Sequence, residues 1–198
     1  MKIKLFYYII IVFLLTFSAC NSEKKIEQNT TIDYHKEFKK YAADYLLALK
    51  AVLVRNLKNG GPLKAVTVCS DTAQALTKMF SDAIGLKVKR VSFKNRNPND
   101  APDVVEAEIL KKYEKMHKNN KLTSDTETFG KYTVNGKKII RYMKPIIVEK
   151  KCLICHGNIN TKIKKNIKEF LKKKYPHDKA VNYSAGDLRG AISITKEM

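Results

Sequence analysis

Acidic residues are in short supply in this chain: 19 against 39 lysines and arginines across 198 residues, for a formal charge of +20. Arginine is scarce in turn, five of those 39, a lysine bias that an AT-rich genome would also produce. Histidine and cysteine number only four each, which limits any metal or disulfide framework to a handful of positions. There is no internal repeat or low-complexity block, and no kinase or other output domain, so a sensory role would require a partner protein. What remains is enough length for one ordinary domain with a sizeable core behind an N-terminal segment.

That segment has the order of an export signal. Lys2 and Lys4 precede an apolar run from Leu5 to Phe17, and Phe17-Ser18-Ala19-Cys20 follows, a pattern that resembles a bacterial lipobox. Residues 1–19 are therefore expected to be removed and Cys20 to be acylated, the competing reading being an uncleaved membrane anchor. Residues 20–30 are polar and without apolar period, as in a lipidated tether, and residues 31–198 remain for the folded domain. Export sets the meaning of the charge. The expected partners are anionic lipid headgroups or an acidic redox or signalling protein, not nucleic acid.

Downstream, Tyr34, Phe38, Tyr41, Tyr45, Leu49 and Val52 recur at helical spacing, and Asn59-Gly60-Gly61-Pro62 should end that long N-terminal helix. Ala65-Val66-Thr67-Val68 runs into Cys69, with Ser70 and Asp71 as caps of a helix over 73–81, so Cys69 is predicted near a helix N-terminus. Leu86–Phe93 alternates like a half-buried strand, and Asp103 with Glu106 has the spacing of a capping box opening a helix that fades near His117. Asn135-Gly136 between Lys131–Val134 and Lys137–Val148 is a strong hairpin signal. A basic helix is expected over 162–174, with Ile163, Ile167, Phe170 and Leu171 inward, and a last strand over Ala191–Ile194. The order predicts an α+β domain.

Cys152-Leu153-Ile154-Cys155-His156 is the signature of c-type haem attachment: two thiols add to the porphyrin vinyl groups, and the next histidine is placed to ligate the iron. A thioredoxin-like pair would want a helix starting at the first cysteine, whereas a strand precedes it here. Zinc would need about four ligands, and only Cys69, His117 and His177 are left to join the cluster. With Cys20 acylated and Cys152 and Cys155 in thioethers, Cys69 alone lacks a covalent partner. The sixth-ligand candidates are Cys69, His117, His177 and the methionines, Met143 among them; Cys69 has the advantage that a helix N-terminus would favour its thiolate.

Four ordered blocks then carry a resemblance: Ala65-Val66-Thr67-Val68-Cys69; Arg96-Asn97-Pro98 through Ala101-Pro102-Asp103 to Glu106; Cys152-Leu153-Ile154-Cys155-His156-Gly157; and Tyr183 with Gly186-Asp187-Leu188-Arg189-Gly190-Ala191-Ile192-Ser193. Together they resemble the exported c-haem proteins with a PAS-like domain, a family long catalogued as a domain of unknown function with a characterised cyanobacterial member. Departures from its usual residues are Gln74 for proline, Asp100 for asparagine and Val105 for tryptophan. The resemblance implies a PAS-like antiparallel sheet with flanking helices, and one covalent haem c on Cys152 and Cys155 with His156 and Cys69 as iron ligands. Arg96 either turns a loop or faces the haem edge or its propionates, and Arg189 has the same two readings. The expected role is redox sensing or electron transfer by an exported, membrane-anchored protein, not an enzyme; the alternatives are a peroxidase-like enzyme and a haem store.

Overall fold

The computed structural model describes the backbone of residues 2–198 and side chains from Asp33 onward. The expected signal (1–19), Cys20 and the tether (20–30) lie outside the residues described with side chains. The chain divides into two units, residues 1–38 and 39–198. In the first, the rings of Tyr34 and Phe38 stand 6.0 Å apart.

Helix α1 (Lys2–Ile84) breaks where the sequence predicts, at Gly60 and Gly61, whose backbones are non-helical, Gly61 at φ 70°. Pro62 then opens a second arm, a position where its missing N–H costs nothing. Residues 39–59 and 62–84 form the two arms, clasped by Tyr45, whose hydroxyl pairs with that of Thr77 at 2.5 Å, and by Phe80 against the rings of Tyr41 and Tyr45 at 6.5 and 5.4 Å. The second arm corrects one expectation. Residues 65–72 are helical throughout, so Cys69 lies inside a helix and not at its N-terminus. Neither expected cap serves as one: the Ser70 hydroxyl turns back to the Thr67 carbonyl and Asp71 pairs with Lys174, while Thr67 and Thr72 likewise donate to the carbonyls of Leu63 and Val68, four residues behind, a satisfied mid-helix arrangement.

The sheet comprises β1 (Lys87–Val91), β2 (Thr128–Val134), β3 (Lys137–Ile147) and β4 (Leu188–Glu197) in the order β1-β4-β3-β2, every pair antiparallel. Asn135 and Gly136, at φ 51° and 78°, make the tight β2–β3 turn that needs two left-handed residues. The final strand, longer than predicted, inserts between β1 and β3, so the long excursion between β3 and β4 leaves from and returns to neighbouring strands.

On one sheet face, Val91, Met143 and Ala191 pack with Ile109, Leu110 and Tyr113 of α2 (Val104–Lys118). The pleat sends Val88, Tyr142, Ile192 and Ile194 to the other face, where they are also buried. The predicted capping box is present: Asp103 accepts from the Glu106 N–H at 2.8 Å, and Glu106 accepts from the Asp103 N–H at 2.9 Å. Asp103 also accepts both ends of the buried Arg141 fork, at 2.8 and 2.7 Å. Burial pushes the Asp103 carboxyl up, but Arg141 and the Glu106 N–H outweigh it and hold it below the usual range. Its contribution to stability is therefore complete above about pH 4 and lost as pH falls through the lowered value. Asp103→Ala should cost about 3 kcal/mol in urea unfolding, because it strands a buried guanidinium, and Asp103→Asn less, since the cap survives.

Candidate functional site

The attachment motif follows directly from β3. Val148 is pinned to the start of β4, its N–H donating to the Asp187 carbonyl and its carbonyl accepting from the Gly186 N–H, both at 2.9 Å. A 3-10 turn (Lys150–Cys152) and the short helix α3 (Leu153–His156) come next. Gly157 closes α3 in contact so close that an added Cβ would stand 2.5 Å from the Leu153 carbonyl oxygen. Residues 156 and 157 pair with a returning segment: the Tyr183 N–H reaches the His156 carbonyl at 3.0 Å, and the Asn182 N–H reaches that of Gly157 at 2.9 Å.

Within this frame His156 is oriented by one bond, from Nδ1 to the Ala180 carbonyl at 2.7 Å. A carbonyl only accepts, so Nδ1 carries the proton and Nε2 keeps its lone pair. Burial, reinforced by Arg96 and Arg189, holds the imidazole well below its usual pKa, hence neutral at pH 7. The Tyr183 ring meets it edge-on at 6.3 Å.

Cys152 packs with Val148, Ala180 and Tyr183, and Cys155 with the cluster of Val66, Ile163, Ile167 and Leu171. That second cluster joins the motif to helix α4 (Lys165–Lys174), which starts later than predicted, and to the second arm of α1. The arm is tied down further by the Tyr175 hydroxyl on the Ser70 carbonyl at 3.3 Å and by Lys174 on Asp71 at 2.7 Å. Val66, three residues before Cys69 on the same arm, shares that cluster with Cys155, and burial, with Cys69 and Cys152 adding to it and Arg96 opposing, pushes the Cys155 thiol up to about 11. Desolvation likewise raises the Cys69 thiol, with Arg90 opposing, so the expected stabilisation of its thiolate by a helix N-terminus is replaced by a half-buried position inside a helix, its desolvation opposed by one cation.

Arg96 acts on the backbone of the site. Its Nε donates to Asp178 at 2.9 Å and its terminal nitrogen to the carbonyls of Cys155 and Ala180 at 2.6 and 3.2 Å. Of the two expected readings, the loop turn is present over Pro98–Asp100, capped by Asn97, and the Arg96 bonds run to protein groups. Arg189 donates to the Lys94 carbonyl and lies over the Tyr183 ring, as does the Lys94 ammonium. Gln74 and Asp100, two of the departures noted in the sequence, hydrogen-bond to each other at 3.0 Å. The remaining ligand candidates are elsewhere: Met143 is in the α2 core, His117 is in the last turn of α2, and His177 is exposed beyond α4. Among the described residues no three His, Cys, Asp or Glu side chains form a metal-holding group, and Cys69, Cys152 and Cys155 are unpaired.

The partners that sequence reasoning missed are Ala180, Asp178 and Arg90. A backbone carbonyl leaves no trace in residue identity, and single charges in loops have no spacing to betray them.

The profile of the Tll0287-like family matches residues 19–196. The chain belongs to that family. Tll0287-like membership accords with a solved structure, that of the cyanobacterial haem protein Tll0287, which is 25% identical, superposes with a TM-score of 0.60, and covers 82% of this chain and 96% of its own. The α+β, PAS-like reading of sheet and flanking helices stands with it. No curated protein matches the sequence significantly.

Arg96→Met should strand Asp178, whose side chain is only 10% exposed, and release two carbonyls, costing about 3 kcal/mol. Arg96→Lys should recover only part, because an ammonium cannot reproduce the fork. Urea unfolding of both variants measures the difference.

Proposed function

We propose that this protein binds one c-type haem, attached through Cys152 and Cys155 and ligated by His156 and Cys69, and serves redox sensing or electron transfer at a membrane surface. The observation that carries the reading is the His156 tautomer, an Nε2 lone pair held ready beside two thiols at attachment spacing. The haem-protein neighbour supports it. The donor set fits the group in a further respect: Arg90 Nε is buried without a hydrogen-bond partner among the described residues, and the guanidinium stands 3.8 Å from Asp100, so it has capacity left for a propionate. A haem held there supplies a one-electron iron couple.

The chain's own contributions are separable. Ala180 fixes the histidine proton, Arg96 holds the carbonyls on either side of the ligand, and Arg90 lowers the cost of a thiolate at Cys69, whose proton leaves when a metal binds. Thiolate donation favours the ferric state, while a sulfur ligand that can leave on reduction or gas binding suits a sensor. The peroxidase-like and storage alternatives lack a specific observation in their favour.

Spectra of protein made with the c-haem maturation system test the site. The colour should stay with the protein through acid-acetone extraction, and serine at Cys152 and Cys155 should abolish attachment; a colourless wild-type pellet refutes it. Cys69→Ala should shift the ferric spectrum, raise the midpoint potential and speed CO binding, and a spectrum identical to wild type would remove Cys69 as the ligand. Peroxide turnover well above that of free haem would favour the enzyme reading. The anchor is tested separately: a clickable fatty acid should label wild type and not Cys20→Ala.

A further inference from the structure

We propose that the outer face of α4 is the docking surface through which an acidic protein partner reaches this site. The helix has one apolar side, and it is spent: Ile167 and Leu171 are buried against Val66, Ile154 and Cys155. The opposite side and the approach to it present Lys162, Lys164, Lys165, Lys168, Lys172 and Lys173, all exposed and none ion-paired with another described residue, with Glu169 as the single acid between them. Of the lysines in this stretch only Lys174 is paired, to Asp71.

Stability does not account for where those charges sit. Lysines in the last turn suit the negative end of the helix dipole, but Lys164 and Lys165 stand at the positive end, where there is no acid and no side-chain cap, and a cation there costs roughly 0.3–1 kcal/mol. Codon bias explains lysine in place of arginine; it does not explain why a single acid, Glu169, stands among six lysines here. Helix α2 shows the contrast, since its exposed Lys111, Lys112 and Lys115 are interspersed with Glu108 and Glu114.

The occupant follows from the chemistry. An amphipathic helix that inserts into a bilayer needs its apolar side free, and that of α4 is committed to the core; attraction to anionic lipid by charge alone is the competing occupant that the vesicle comparison below separates. What is left is a compact basic patch directly behind Cys155, suited to steer an acidic protein face by charge. That docking there serves the cofactor rests on the function proposed above; the charge asymmetry itself does not.

The test uses the full chain carrying haem, with a small acidic flavodoxin, reduced by one electron, as the probe. Electron transfer oxidises the neutral flavodoxin semiquinone to the quinone, its proton passing to solvent, and reduces ferric to ferrous iron. The wild-type rate should fall with ionic strength. Replacing Lys165, Lys168 and Lys172 together by Glu should slow it about tenfold or more at low salt and flatten the salt dependence, with Gln at the same positions intermediate. Glu at Lys111, Lys112 and Lys115 makes the same change in net charge on α2 and should leave the rate within about twofold. A neutral hydroquinone should reduce all the variants at one rate, which separates docking from damage to the fold. Equal slowing by the two Glu triples, or a salt-independent wild-type rate, overturns the proposal. So does loss of the extra retention on phosphatidylglycerol over phosphatidylcholine vesicles in the α4 triple with the flavodoxin rate unchanged, which would make the surface a membrane contact. Failure of haem attachment would show beforehand in the haem content of the wild type, and would count against the site and not against the surface.

Discussion

The carbonyl of Ala180 takes two donors, His156 Nδ1 at 2.7 Å and the Arg96 guanidinium at 3.2 Å, and the geometry of the site depends on that one acceptor. It fixes the histidine tautomer. It also links His156 to a part-buried cation whose other bonds run to Cys155 and Asp178, so the second thiol, the histidine and the returning loop are set by a single guanidinium. A charge-assisted fork in a partly buried setting is stiff, and stiffness is what a ligand needs if its lone pair is to point one way.

This arrangement is affordable because the fold brings the loop's ends together. β3 and β4 are the two central strands of the sheet, so the excursion that carries the motif, α4 and Ala180 starts and finishes at adjacent strand ends, pinned by the two bonds between Val148 and residues 186–187. The opposite sheet face is closed by α2 and the Asp103–Arg141 pair, and it contributes rigidity without contributing ligands. That division is why Met143, though it lies on the strand leading into the motif, points away into the α2 core.

Much of this was legible in the sequence because the relevant signals are local. Asn135-Gly136, the Asp103–Glu106 box and Gly60-Gly61-Pro62 each state a backbone geometry within a few residues, and each appears in the structure; β1 forms where expected, but with Val88 and Val91 buried on opposite faces it is covered on both sides and not half-buried. The environment of Cys69 was misread for the opposite reason. Val66, Thr67 and Val68 are β-branched and look like an approach to a helix, yet Val66 is buried against Ile163, Ile167 and Leu171, and that tertiary burial outweighs the few tenths of a kcal/mol by which such residues disfavour helix. The hydroxyls that resemble caps can satisfy themselves inside a helix as well as at its start. Ala180 was beyond reach altogether, because its contribution is a carbonyl that any residue would carry.

Helix α4 links the two halves of the argument. Its inner face fixes the distance between Cys155 and the arm that bears Cys69, through Val66 packing and the Tyr175 bond to Ser70. Its surface ion pair with Asp71 adds little, being exposed on both sides. The arm is therefore held by apolar contact together with directional bonds, Tyr175 to Ser70, Gln74 to Asp100 and the buried Tyr45–Thr77 pair, so the support of Cys69 and the loop that orients His156 combine close packing with hydrogen bonds in the same way.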